Sequence, residues 1–422
     1  MSLPSVRPRL LIYSQDGLGL GHLRRTSLLA GTFLDARPGS AVLTISDSPA
    51  GQFFVTHDGH DHLKLPSIRK IGPGNWSPVS LGMSFAEVLR LRQETIRGAA
   101  QAFEPDVLLV DHMPHGAMGE LLPTLRALDG SSTRLVLGLR DILDAPATIR
   151  RRWHLEGAFE AVERYFSDVL VYGSQDVFDV AAEYSWPASL ADRLRYCGYV
   201  CAPATRANAA LVRRRYLRQR PRSRLVVAMA GGGADAYGLF DALVRAVPLL
   251  RAGQRCVVLV VTGPFLPAAE RAHLRRLARG LPVHVVPAVH NSTSYLAAAD
   301  LVVAMAGYNT SAEILSLGTP AVLVPRAGPS AEQQIRAARF ADRGWVRWIR
   351  PDALTPARLG AAMDAAMSPR AESPSIGPDL RGRERAAARL VQLAAGVEWE
   401  DEISLAAAAG VGSDAIAGNG GD

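Results

Sequence analysis

Two glycine-rich turns, one histidine and one aspartate are the residues of this chain best placed by type and spacing to do chemistry. Gly17-Leu-Gly-Leu-Gly-His22 follows a short apolar run and precedes Leu23–Ala30, which reads as a helix. Gly17, Gly19 and Gly21 permit a tight turn and close approach of backbone to a ligand. The unpaired N–H groups that open the next helix attract an anion. The spacing is not that of the dinucleotide fingerprint, for which Asp47 after the second apolar run gives weak support. His22 ends the loop as a group that titrates near neutral pH; a helix-opening histidine without chemistry explains it equally well. Asp111, in VDHMPHG, stands at the end of another apolar run. It can orient an imidazole and stabilise its protonated form, or cap the helix that follows. Gly231, Gly232 and Gly233, in Ala230-Gly-Gly-Gly-Ala-Asp-Ala-Tyr-Gly238, exceed what a strand-to-helix turn needs, and successive N–H groups there form an anion nest.

These residues need rigid elements behind them, and the apolar runs supply those. Leu10–Ser14, Ala41–Ser46, Val107–Val110, Arg134–Leu139, Val169–Tyr172 and Leu194–Tyr196 read as strands in the first half. Leu225–Met229, Val257–Val261, Val283–Val286, Leu301–Ala304 and Ala321–Val324 repeat the pattern in the second. Most lack polar alternation, as strands buried on both faces of a parallel sheet do. Helical stretches such as Phe85–Phe103 separate them, giving a βαβα order. The expected fold is α/β, with two doubly wound Rossmann-like domains facing a cleft, and ligands bind such sheets at the carboxyl ends of strands. The boundaries expected are an N-terminal domain over 1–203, a connection over 204–222 and a second domain over 223–370. A helix within 371–396 and an acidic disordered tail over 397–422 complete the chain. His57–Ser80 reads as an irregular functional loop.

A chain of 422 residues, 48% hydrophobic, fits two well-cored domains. No stretch approaches the roughly 20 apolar residues of a membrane span, and the start shows no secretory signal. Cys197, Cys201 and Cys256 are too few for a disulfide framework and read as reduced cytosolic thiols. Residues 397–422 hold six acids and no base, so the net +7 of the whole chain becomes +13 over residues 1–396. Such a body attracts phosphorylated ligands and anionic lipid. No basic run interleaved with aromatics points to nucleic acid.

The strongest motif is Ala299-Asp-Leu-Val-Val-Ala-Met-Ala-Gly-Tyr-Asn-Thr-Ser-Ala-Glu313-Ile-Leu-Ser-Leu-Gly-Thr-Pro-Ala-Val-Leu-Val-Pro325, followed by Glu332-Gln-Gln334. It reads as strand, glycine turn, helix, turn and strand. Thr310 can cap a helix whose first turn holds Glu313, which leaves the glutamine pair unexplained. From about Leu225 to Trp345 the chain resembles the C-terminal domain of the glycosyltransferase family that contains the peptidoglycan enzyme MurG. The resemblance extends loosely to the first glycine loop. It implies the GT-B fold, a UDP-sugar or other nucleotide-sugar substrate, inversion at the anomeric carbon and no essential metal or cofactor. Carried over by motif, Gly231, Gly232 and Gly233 face the donor diphosphate and the backbone near Val289 meets the base. Gly307, Asn309 and Thr310 line the phosphates, Glu313 holds the ribose, and Gln333 and Gln334 hold sugar hydroxyls. Gly17, Gly19, Gly21 and His22 stand at the reaction centre. Two departures are visible: the first loop ends Gly-Leu-Gly-His instead of Thr-Gly-Gly-His, and Gly233 stands where a serine often sits.

Inverting transfer needs a base for the acceptor proton. His22, oriented by Asp111, is the candidate, with Glu87 next in line. His57, His60 and His62, with Asp58 and Asp61, fit no single register as metal ligands and read as a solvated loop or acceptor surface; His112 and His115 read similarly. The acceptor is open among a lipid carrier, an oligosaccharide and a small natural product. The expected location is cytoplasmic, with peripheral contact to an anionic membrane face. Competing functions are a UDP-sugar epimerase or nucleotide-sugar hydrolase on the same scaffold, and a non-catalytic nucleotide-sugar-binding protein. Epimerases tend to carry Ser-Gly-Gly-x-Gln-Glu-Glu where this chain has Ala-Gly-Tyr-Asn-Thr-Ser-Ala-Glu313.

Overall fold

A computed structural model describes residues 7–15, 21–72, 75–251, 255–368 and 377–396. Gly17, Gly19 and the tail 397–422 lie outside the described residues. The strands are β1 (Arg9–Ser14), β2 (Ala41–Ser46), β3 (His60–Lys64), β4 (Ile68–Gly72), β5 (Asn75–Pro78), β6 (Val107–Asp111), β7 (Arg134–Arg140), β8 (Asp168–Tyr172) and β9 (Leu194–Tyr196) in the first half. In the second half they are β10 (Arg224–Met229), β11 (Cys256–Val261), β12 (Val283–Val286), β13 (Leu301–Ala304), β14 (Ala321–Leu323) and β15 (Arg347–Trp348). Two parallel sheets result, in the orders β3-β2-β1-β6-β7-β8-β9 and β12-β11-β10-β13-β14-β15. Each reverses its winding beside its first strand, and ligands in doubly wound sheets bind at that point. β1, β6, β8, β10, β11 and β13 are buried on both faces, apart from the leading residues of β1 and β10. That explains their unalternated Val, Leu and Ile.

Three elements differ from expectation. His57–Ser80 is not an irregular loop: it contains β3, an edge strand paired in parallel with β2, and the antiparallel hairpin β4–β5. The histidines hid β3, since His60 and His62 look polar yet pack inward. His60 Nε2 lies 2.9 Å from Thr44 Oγ1, and His62 Nε2 lies 2.9 Å from Ser46 Oγ. A Cβ on Gly51 would stand 2.1 Å from the His62 ring, and one on Gly31 would stand 2.4 Å from His57. Burial, then His57 and His62, push His60 down to about 4. These rings are packing groups, and among the described residues no cluster of His, Cys, Asp or Glu is placed to hold a metal.

The connecting segment is also more than a tether. Its helix Ala209–Leu217 packs on the second half through Val212 and Leu217. Arg213 donates to Ala298 O at 2.8 Å and to Asp300 at 2.9 Å. The last described helix, Gly382–Ala394, returns to the first half and packs on helix Gly21–Ala36. Arg389 pairs there with Asp168 at 2.7 Å. Gly382 permits the crossing, since a Cβ on it would lie 2.2 Å from Gly198 O.

Candidate active site

His22 is the second residue of helix Gly21–Ala36, which begins beyond the end of β1. β1 and β6 run side by side with Ser14 opposite Asp111, so the carboxylate reaches the start of helix Gly21–Ala36. His22 Nδ1 lies 2.5 Å from Asp111 Oδ2, with Asp111 fully buried and the His22 side chain 19% exposed. With Nδ1 donating to the carboxylate, the lone pair of the neutral ring sits on Nε2. Asp111 does not act as a helix cap. It is instead gripped by Arg25, one helical turn beyond His22, whose Nη2 donates to Oδ1 at 2.8 Å and Oδ2 at 2.7 Å. Burial works to raise this carboxyl, but Arg25 and then His22 outweigh it and hold it well below the usual carboxylate range. The guanidinium of Arg25 is itself enclosed between the rings of Tyr172 and Tyr308, at 5.3 and 5.4 Å. Arg25 was legible as an i,i+3 neighbour of His22 on one helix face.

His112 follows Asp111 with φ at +84°, a conformation costly for a residue with a Cβ. Its ring stands 5.3 Å from that of His22. Glu87, the alternative base, is instead an exposed member of a capping box with Ser84 at the start of helix Phe85–Phe103. Asp47, beyond β2, is buried and pairs with Arg92 at 3.3 Å.

In the second half, Gly231 and Gly233 have φ of +60° and +85°. A Cβ on Gly233 would lie 1.8 Å from Thr262 O, so the turn is locked against the chain beyond β11. Phe265 N donates to Gly232 O at 2.9 Å, completing that packing. Gly307 has open space where a Cβ would stand, and it takes the N-cap position of helix Tyr308–Leu317. Thr310 therefore lies inside that helix and does not cap it. Val289 is half-buried against the core of the second half.

Several expected donor contacts are engaged within the protein. Asn309 Nδ2 donates to Gly21 O at 2.9 Å, tying the start of helix Tyr308–Leu317 to the start of helix Gly21–Ala36. Glu313, buried, meets Arg24 of the first half at 2.5 Å, and Arg24 also reaches Ser292 Oγ at 3.3 Å. Burial raises the Glu313 carboxyl, partly offset by Arg24. Gln333 accepts from Arg326 N at 3.2 Å, and Gln334 donates to Ala327 O at 3.2 Å.

The carboxyl edges of the two sheets thus meet. Beyond β7, Asp141 takes both arms of Arg336, at 2.9 and 2.6 Å. Arg140 pairs with Glu332 at 2.8 Å, and Asp144 accepts from Ala331 N at 2.8 Å. Burial opposes ionisation of Glu332, but Arg140, Arg336 and Arg326 together hold its carboxyl below its ordinary value. Sequence reasoning passed over Arg24, Arg140 and Asp141 and gave Glu332 no role beyond its place in the motif, because their partners lie in the other half of the chain.

Residues 226–388 match the model of the glycosyltransferase family 28 C-terminal domain. A relative from Exiguobacterium sp., named UDP-N-acetylglucosamine--N-acetylmuramyl-(pentapeptide) pyrophosphoryl-undecaprenol N-acetylglucosamine transferase, is 32% identical over 174 residues, covering 40% of this chain and 45% of that one. The chain thus spans less than half the length of the curated relatives it matches. Among solved structures, MurG of Acinetobacter baumannii aligns with a TM-score of 0.56 at 14% identity, over 93% of this chain and 96% of that one. A putative UDP-N-acetylglucosamine 2-epimerase from Listeria monocytogenes aligns at 0.59 and 14%, over 92% and 96%. Residues 226–388 accordingly resemble the glycosyltransferase family 28 C-terminal domain, within a chain that has the GT-B fold.

Proposed function

We propose that this chain is an inverting glycosyltransferase, which moves a hexosyl group from a UDP-sugar or related nucleotide-sugar to an acceptor held by its N-terminal half. The observation that carries the reading is the His22–Asp111 pair standing across one hydrogen bond, Asn309 to Gly21, from the family 28 motif. The fold alone does not choose, since the epimerase shares it. The choice rests on the sequence match of the C-terminal half and on an ionised carboxylate behind a histidine.

In the reaction proposed, the acceptor hydroxyl oxygen attacks the anomeric carbon while the bond from that carbon to the diphosphate breaks. The bonding pair leaves with the nucleoside diphosphate, and Nε2 of His22 takes the hydroxyl proton. Asp111, kept ionised by Arg25, stabilises the imidazolium that forms. The glycine turn at 231–233 supplies N–H groups to the departing diphosphate. Glu313 takes the ribose hydroxyls by exchanging part of its contact with Arg24. No resident metal is assigned a step.

The acceptor is proposed to be lipid-linked, as the pyrophosphoryl-undecaprenol in the name of the Exiguobacterium relative is. Supporting this, Ile71 on β4, Val79, Leu81 and Met83 in the segment after β5, and Leu91 on the following helix are exposed apolar side chains. Exposed Arg69 and Arg90 accompany them. No helix among the described residues is long and apolar enough to cross a membrane, so the contact would be peripheral, at the cytoplasmic face. Calorimetric titration with UDP, dTDP and GDP tests the donor assignment. Saturable binding of one of them is expected, and binding of none overturns the reading.

A further inference from the structure

Five guanidinium groups of the meeting edges are already spent. Arg25 is held by Asp111, Arg24 by Glu313, Arg140 by Glu332 and Arg336 by Asp141 and Glu332. Arg271, behind the glycine turn, donates to Thr262 Oγ1 at 3.2 Å and to Leu266 O at 3.0 Å.

Arg326 differs. It lies just beyond β14, whose carboxyl end is next but one to that of β10. Its backbone is fixed on both sides: its N–H donates to Gln333 Oε1 at 3.2 Å, and its carbonyl accepts from Gln334 Nε2 at 3.4 Å. Its Nη1 points to the segment after Gly233, reaching Asp235 Oδ2 only at 3.9 Å, with the Asp235 side chain 57% exposed. That is an ion pair too long for a hydrogen bond. Its Nε is buried with no hydrogen-bond partner. A buried donor left unpaired is costly and rare. Here it belongs to a cation with a fixed base, facing the segment that follows a turn in which Gly231 and Gly233 hold positive φ. The carboxylates near it, Asp235 and Glu332, leave that Nε without a hydrogen bond, and an anion in the gap completes it.

We propose that Arg326 binds the diphosphate of the donor opposite the Gly231–Gly233 turn and stabilises the charge that develops on it as the sugar departs. The assignment rests on the glycosyl-transfer reading and adds to it the cation of the leaving-group site. When the anomeric C–O bond breaks, its electron pair stays on the terminal phosphate oxygen, which gains one negative charge. A guanidinium there makes charge-assisted, forked hydrogen bonds that strengthen as the charge grows. Gln333 and Gln334 then act as positioning residues for Arg326 through its backbone.

The test is calorimetry on the full chain with the nucleoside diphosphate that the native protein binds, and with the matching monophosphate, for Arg326→Met, Arg326→Lys and Asp235→Asn. Thermal melts accompany each variant. Arg326→Met is expected to weaken the diphosphate about 10- to 100-fold and the monophosphate much less, with Arg326→Lys recovering part of the loss. Asp235→Asn should bind the diphosphate at least as well as the native chain. Unchanged diphosphate affinity in Arg326→Met overturns the assignment while leaving the transferase reading intact. So does an equal loss for both nucleotides with a lowered melting temperature that Asp235→Asn reproduces, because Arg326 would then be structural. A native chain that binds no nucleoside diphosphate overturns both.

Discussion

At the scale of the residue, His22 and Asp111 do not carry equal burdens. His22→Ala should lower sugar transfer about 10²- to 10⁴-fold while nucleotide affinity holds, because the proposed donor contacts lie in the other half. Asp111→Asn would be a shape-conserving change if Asp111 served only His22. Arg25 alters that expectation: with Asp111 neutral, a fully buried guanidinium loses its counter-charge, and breaking a buried pair costs about 3–5 kcal/mol. Asp111→Asn should therefore lower both transfer and melting temperature, whereas His22→Ala should lower only transfer. Equal melting curves for the two variants would contradict the arrangement. Glu313 presents the opposite case, a buried carboxyl whose pKa is raised. A group raised in the folded state contributes stability at low pH and loses it as pH rises through its folded value. Glu313→Gln should therefore gain stability relative to the native chain as pH rises through the carboxylate range, while nucleotide binding falls. Chemical denaturation of both chains at several pH values would check this, and a gain that shrinks with rising pH would refute it.

At the scale of the element, the strands buried on both faces were legible because two-sided burial leaves unbroken apolar runs. β3 was not, because a histidine that bonds Thr44 and lies under a helix has the same letter as one in water. β15, two residues long, carries no pattern at all. The misplacement of Thr310 has a similar cause: a capping signature is shared by any Thr three residues before a Glu, and Gly307 starts the helix earlier. The glycine turn is clearer. Gly233 stands where the resembling family often has serine, and here the Thr262 carbonyl occupies the space a Cβ would need. Gly233→Ser should therefore displace the turn, reducing nucleotide affinity at least tenfold along with some stability. Native affinity in that variant would show that the turn does not face the ligand.

At the scale of the whole molecule, the interlock of the two halves was the least legible feature. Arg24 with Glu313 and Arg336 with Asp141 join residues 289 and 195 positions apart, and no local pattern marks such pairs. Composition makes residues 1–396 basic, and Ile71, Val79, Leu81 and Met83 are exposed apolar side chains on and just after the β4–β5 hairpin. Flotation with anionic liposomes should recover the protein at low salt and release it at high salt, where surface attraction is screened. Leu81→Asp with Met83→Asp should abolish recovery. Absence of flotation at low salt would move the acceptor proposal to soluble molecules. The central claim, transfer from a nucleotide-sugar with inversion, is tested most directly by proton NMR of the chain incubated with UDP-, dTDP- and GDP-hexoses. The account predicts release of an intact nucleoside diphosphate and a sugar of inverted anomeric configuration from at least one of them. A 2-epimer still joined to its nucleotide, or no turnover of any donor with or without lipid-linked acceptors, would contradict it.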